Sequence, residues 1–278
     1  MNRRDLHEQA LGEYFDQFLC NDDAVPLREY LIQKSHLPGP RGNLELAEAF
    51  AQRAENHAED NPDCMWNLCL TFAQLSAAEA PTNDPQEFIA FCGTRGLAAV
   101  GAVWASYFEE ALSRLFDLSH DPRWRVREAV AMAIQRLIEV RPERTLGTLA
   151  DWIQDEDWLA MRAIAAGVAE PRLLKEASIV EQALRLHQVI VACMETSRER
   201  RSEEFKTLRK GLGYTFSVIT SALPEEGFQV LRKLAASGDK DLLWIAENNL
   251  KKNRLVNHFP DEVARCNRLI GRKSSSKA

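Results

Sequence analysis

The chain has 278 residues, is 45% hydrophobic and 27% charged, and carries a formal net charge of −6. That composition supports a sizeable packed core and argues against a dedicated DNA binder, whose whole-molecule field is basic. No stretch of 18 uncharged apolar residues occurs, and the opening "MNRRDLHEQALGEYF" reads as a polar helix start rather than a signal peptide. The expectation is therefore a cytoplasmic protein with no membrane partner.

Strand signals are nearly absent, because apolar residues recur at spacings of three and four rather than two. Helices are expected in chain order over about 4–19, 25–35, 43–59, 62–77 and 85–91, then 97–117, 122–140, 143–153 and 157–169. They continue over about 176–196, 203–221, 225–236, 240–252 and 260–271. Asn61-Pro62, Asp84-Pro85, Asp121-Pro122 and Leu223-Pro224 each place a proline where a helix is expected to begin, since proline at the first helical position gives up no needed N–H. Between the second and third helices, "LPGPRGN" (37–43) holds two prolines and two glycines, which makes a stiff turn with Arg41 exposed; it is neither a P-loop nor a GxGxxG motif. The polar tail over 273–278 is expected to be disordered.

Six cysteines (Cys20, Cys64, Cys69, Cys92, Cys193, Cys266) are scattered through helix-patterned segments without a CxxC pair, and read as reduced thiols rather than metal ligands. The six histidines are far apart, and no HExxH, GxSxG or Cys-His arrangement is present. No cofactor or metal is expected.

The charge is uneven. Residues 1–100 carry a net −9, residues 101–197 a net −4 and residues 198–278 a net +7. Internal repetition accompanies this gradient. "DPRWRVREAVAMAIQRL" from Asp121 is followed by "DEDWLAMRAIAAGVAEPRLL" from Asp155, with Trp124 and Trp158 spaced by 34 and Arg127 and Arg162 by 35. A third, looser copy, "SGDKDLLWIAENNLKKNRL", starts at Ser237. Each begins with acidic residues suited to a helix N-terminus and continues with alanines that let a neighbouring helix approach.

The Asp-Pro turn, the Val126-Arg127 pair and the alanine ladder resemble a HEAT repeat, most clearly over 119–170 and more weakly over 237–255. "LPGPRGNLELAEAFA", "LGYTFSVITSALPEEG" and "WIAENNLKKNRL" resemble a group of bacterial HEAT-repeat proteins with no settled function. The resemblance implies an all-α fold, a curved α-solenoid of stacked antiparallel helix pairs of the HEAT/armadillo type. It is expected to form a single domain over 1–272. It implies a non-enzymatic binding scaffold whose concave face receives a protein or peptide partner.

A second resemblance, in length and helical class, is to HEAT-like alkylpurine DNA glycosylases, which implies DNA binding or repair. On that reading Asp155, Asp157 and Trp158 are the candidate catalytic residues: an aromatic face stabilises a cationic base while a carboxylate stabilises the developing oxocarbenium charge. The paired Trp-Trp-Asp motif of that family is absent here. The alternative role for Asp155 and Asp157 is capping the following helix, and for Trp158 filling a groove between repeats. Candidate binding residues are Arg162, Trp244, Lys251, Lys252 and Arg254, through which the basic C-terminal third would meet nucleic-acid phosphates. Arg123 and Arg125 join them, because the repeat register does not require them. Arg127, at the recurrent position, is expected to tie one repeat to the next.

Overall fold

A computed structural model describes residues 3–154 and 156–275. The described residues are all-helical, with fifteen α-helices and no strand: α1 (Arg3–Asn21), α2 (Val25–Lys34), α3 (Leu44–Ala58), α4 (Pro62–Ala73), α5 (Glu87–Val103), α6 (Ala105–Leu118), α7 (Trp124–Val140) and α8 (Pro142–Asp151). The series continues with α9 (Trp158–Val168), α10 (Ala177–Thr196), α11 (Glu203–Ala222), α12 (Pro224–Ala236), α13 (Lys240–Leu250), α14 (Asn253–Val256) and α15 (Pro260–Ser275). Of the expected tail, 276–278 lie outside the described residues, while α15 takes in 273–275. The chain divides into two compact units, residues 1–145 and residues 146–278.

Local chemistry sets the helix starts. Pro62 and Pro224 open α4 and α12 as expected, whereas Pro85 and Pro122 lie in turns two residues ahead of α5 and α7. Asn43, Asp157, Ser202 and Asp239 cap α3, α9, α11 and α13 by accepting main-chain N–H bonds. Such a cap contributes about 1 kcal/mol.

In the first unit α5 is the central helix, packed by α2, α3, α4, α6 and α7. Every residue from Glu87 to Gly101 is buried, as befits a helix that is apolar almost all round. This corrects the expectation of separate helices over 85–91 and 97–117. Gly93 and Gly96 instead lie within α5, where neighbouring helices come so close that no side chain fits. A Cβ on Gly93 would stand 2.3 Å from the main-chain nitrogen of Ala73, and one on Gly96 would stand 2.4 Å from Cys69 Sγ. The true break falls at Trp104, whose backbone is extended and whose indole Nε1–H donates to the Ala58 carbonyl at the end of α3, 2.6 Å away.

In the second unit α11 takes the central place, packed by α9, α10, α12, α13 and α14, while α15 lies on α12 and α13. Two buried polar side chains pin α11. Asn249 of α13 accepts from the Ser217 N–H at 2.7 Å and donates to the Leu212 carbonyl at 2.8 Å. His187 of α10 lies wholly buried between the Ala183 carbonyl, 2.9 Å from Nδ1, and Thr215 Oγ1, 2.8 Å from Nε2. The carbonyl only accepts, so Nδ1 carries the proton and Nε2 receives the Thr215 hydroxyl. Burial lowers this imidazole's pKa to about 4 and keeps it neutral.

Candidate functional site

The run "DPRWRVRE" enters α7 with three arginines in five positions, and the structure assigns them differently from the sequence. Arg123 is 1% exposed. Its guanidinium pairs with Asp121 at 2.6 Å and donates to the carbonyls of Leu75 (2.7 Å), Ala80 (3.1 Å) and Ser76 (3.4 Å), the turn that follows α4. Arg125 is 5% exposed; it pairs with the wholly buried Glu87 at 3.0 Å and donates to the Gly39 carbonyl and to Asn83 Oδ1. The expectation that these two arginines belong to an open binding face is therefore corrected. Both are used up joining α7 to segments some 40 to 86 residues earlier in the chain. Arg127, from which a tie was expected, donates to the Asp121 and Pro122 carbonyls and has a further interaction besides.

What α7 offers to solvent is Trp124, 44% exposed, with the Arg125 guanidinium 4.4 Å from its ring centroid. Trp124 borders a cleft of about 420 Å³, within the roughly 300–1,000 Å³ of ligand-binding clefts. The loop residues Pro40, Arg41 and Gly42 form one wall, with Leu44 at the start of α3. Phe88 and Phe91 of α5, stacked with their rings 6.0 Å apart, form another, and Arg125, Glu128 and Met132 of α7 complete it.

The loop wall is fixed in place. The Gly39 N–H donates to Asn83 Oδ1 at 3.0 Å, the Gly39 carbonyl receives Arg125, and Asn43 closes the loop by donating to the Lys34 carbonyl at 2.9 Å while capping α3. Gly39 is required here, since a Cβ would lie 2.6 Å from the His36 carbonyl oxygen. Sequence reasoning saw the stiff turn and the exposed Arg41 but not the cleft, because the partners of 40–44 are about 45 and 85 residues downstream.

The second cluster lies in the other unit. Trp244 rests against Gly213 of α11, where a Cβ would stand 2.8 Å from the indole, and Arg209 lies over its ring at 4.7 Å while donating to Asp241 at 2.6 Å. Tyr214, 47% exposed, has Lys252 Nζ at 5.4 Å and the Arg254 guanidinium at 4.9 Å from its ring centroid, with Arg254 also donating to its hydroxyl. Among the described residues no carboxylate pairs with Lys251, Lys252 or Arg254. Arg162 runs along Gly211, where a Cβ would lie 3.7 Å from its Cγ. Gly211 stands one turn before Tyr214 on α11, and Lys252 and Arg254 are the cations placed at the Tyr214 ring. Tyr214, the ring that organises the cluster, was not singled out from sequence, although it stands in the "LGYTFS" segment.

Two of the three candidate catalytic residues, Asp157 and Trp158, have structural employment. Asp157 caps α9 by accepting the Ala160 N–H at 3.1 Å. Trp158 is 4% exposed and packs edge-on against Phe205, with centroids 5.3 Å apart, so its face is not open to a base. Asp155 lies outside the described residues. Trp158 and Trp124 are thus equivalent in repeat spacing but opposite in exposure. All six cysteines are free thiols, and burial pushes those of Cys69 and Cys92 far above the ordinary range. Among the described residues no group of three or more His, Cys, Asp or Glu side chains is placed to hold a metal ion, and no helix is long and apolar enough to cross a membrane.

No protein-family model and no curated protein matches the chain. Among solved structures, the chain is similar to an engineered protein at 17% identity, over 86% of this chain and 97% of that one, with a TM-score of 0.33. A likeness at that TM-score carries no argument about fold or activity.

Proposed function

We propose that the protein is a HEAT-like scaffold of stacked antiparallel helix pairs, acting in the cytoplasm without catalytic chemistry of its own, and that it holds a protein or peptide partner. The observation that carries this reading is the cleft of residues 1–145. Its apolar walls are Leu44, Phe88, Phe91 and Met132, and Trp124 and Leu44 stand 44% and 47% exposed at its rim. Exposed large apolar side chains beside a preformed cleft are the anchors and sockets of partner recognition. The loop and ion-pair network beneath lets the cleft receive a partner without first ordering itself.

Peptide selection on the full chain tests this, with Leu44→Asp as the counter-selected variant. Leu44 is exposed and opens α3, where an acidic residue suits the helix dipole, so the variant keeps its fold. Enriched peptides should share a bulky apolar residue and bind the variant at least about tenfold more weakly, the equivalent of about 1.4 kcal/mol. Enrichment without an apolar preference, or equal binding to both proteins, overturns the reading.

A second reading, nucleic-acid binding of the DNA-repair type, is favoured by one observation: Lys252 and Arg254 crowd Tyr214 and, among the described residues, no carboxylate pairs with them. Uncompensated cations around an aromatic ring supply both phosphate attraction and a contact surface. Anisotropy of a labelled oligonucleotide should then fall steeply between about 50 and 200 mM salt and be lost in Lys251→Glu/Lys252→Glu/Arg254→Glu. Unchanged binding in that variant, or none at low salt, removes this reading. Release of alkylated purines would additionally require a base-stacking face, which buried Trp158 does not offer.

A further inference from the structure

We infer that the cleft beside Trp124 selects an apolar side chain with a carboxylate next to it, an acidic–apolar peptide segment, and that Arg41 is the cation that pairs with that carboxylate. This deepens the peptide-binding reading and rests on it.

Three observations converge. First, Arg41 lines the cleft with its guanidinium exposed and without a hydrogen bond or ion pair among the described residues. That is unusual where it stands, since residues 1–100 hold 16 carboxylates against 7 Lys and Arg. Arg28, Arg53, Arg95 and Arg123 of the same unit all have partners. Second, the backbone carrying Arg41 is pinned on both sides, at Gly39 and Asn43, so the charge is held at the cleft's edge rather than carried on a loose loop. Third, the other guanidinium lining the cleft, that of Arg125, is nine-tenths buried and keeps Nε–H without an acceptor, while its partner Glu87 keeps Oε1 without a donor. Both atoms are sealed from solvent, so Arg125 is spent on Glu87, Gly39 and Asn83, and Arg41 is the lining cation left for a ligand.

Charge decides which anion fits. The lining contributes two guanidinium groups, of which that of Arg125 is already paired with Glu87, and one carboxylate, Glu128, which has interactions of its own. The surrounding net charge of −9 over residues 1–100 repels a polyanion such as a nucleic-acid backbone. A single carboxylate attached to an apolar group meets much less of that repulsion than a polyanion and gains both the Arg41 pair and the Phe88–Phe91 wall.

The test is titration of the ¹⁵N-labelled full chain, following the indole N–H of Trp124, which is assigned by its loss in Trp124→Phe. The probes are N-acetyl-Phe-Glu-amide and N-acetyl-Phe-Gln-amide, N-acetyl-Phe and its amide, and N-acetyl-Ala-Glu-amide. Each carboxylate probe with Phe should bind about tenfold more tightly than its amide partner, and Arg41→Gln should erase that difference while leaving the amide forms unchanged. The first pair reports a side-chain carboxylate and the second a chain terminus. Equal binding of acid and amide, or a preference that survives Arg41→Gln, overturns the inference while leaving the peptide reading intact. N-acetyl-Ala-Glu-amide binding as well as its Phe counterpart also overturns it, because the cleft would then play no part. No perturbation of Trp124 by any Phe probe overturns the inference and the peptide reading together.

Discussion

Replacing Arg123 by methionine removes the guanidinium that joins the start of α7 to the turn after α4, with little loss of side-chain volume. Four partners are affected: the Asp121 carboxylate, which is about one-tenth exposed, and the carbonyls of Leu75, Ser76 and Ala80. Removing one member of a buried ion pair costs about 3–5 kcal/mol, because the other charge is left desolvated. Asp121 can turn partly to solvent and the carbonyls then lose their donors, so the expected cost is about 4 kcal/mol. Native-state hydrogen exchange followed by mass spectrometry reads this directly, because it reports the opening free energy of residues 124–140 and 75–80 without assuming that the whole chain unfolds in one step. Exchange there should accelerate about a thousandfold. Arg41→Met, which removes an exposed and unpaired guanidinium, should change it by no more than about 0.5 kcal/mol. If Arg123→Met costs less than about 1 kcal/mol, the guanidinium is not holding the turn and the assignment of this arginine to structure is wrong.

Gly93→Ala should destabilise the first unit by about 3 kcal/mol or more, seen as a lower urea midpoint, because the new Cβ meets the Ala73 backbone at 2.3 Å and neither helix can yield cheaply. Asn249→Leu should cost about 3 kcal/mol in the second unit and raise exchange at Ser217, since that N–H and the Leu212 carbonyl lose their cross-helix partner. The second unit should also lose stability as pH falls. His187 takes up a proton near pH 6.5 when unfolded but only near 4 when folded, so the unfolded chain binds more protons in that window. Stability present above pH 6.5 therefore declines by about 3 kcal/mol by pH 4, and urea midpoints of wild type and His187→Gln should converge over that range.

Much of the helix pattern was legible because its punctuation is local. Pro62, Pro224, Asn43, Asp157 and Asp239 act within their own turns, and the period of the apolar residues is written into each segment. What could not be read locally was decided by distant backbone. That 85–91 and 97–117 join through Gly93 and Gly96 is decided by Ala73 and Cys69, which occupy the space a side chain would need. Arg123 and Arg125 looked spare because their acceptors, the carbonyls of Leu75, Ala80 and Gly39, are main-chain groups that any residue type would provide. The candidate site divided the same way. Asp157 was recognisable as a cap, and the basic residues Lys251, Lys252 and Arg254 were recognisable as a cluster, but the ring they gather around, Tyr214, comes from 37 to 40 residues earlier. The Trp124 cleft needed three segments brought together, of which only the stiffness of 37–43 was visible in advance.

On the function proposed above, partner recognition belongs to the cleft of Trp124 and not to the basic cluster of Tyr214. The most direct test of that claim is the hydrogen-exchange footprint of a peptide selected on the full chain. Protection confined to residues 40–44, 88–91 and 124–132 is the expected result, whereas protection at 209–214 and 251–254 with none at the cleft would contradict the claim.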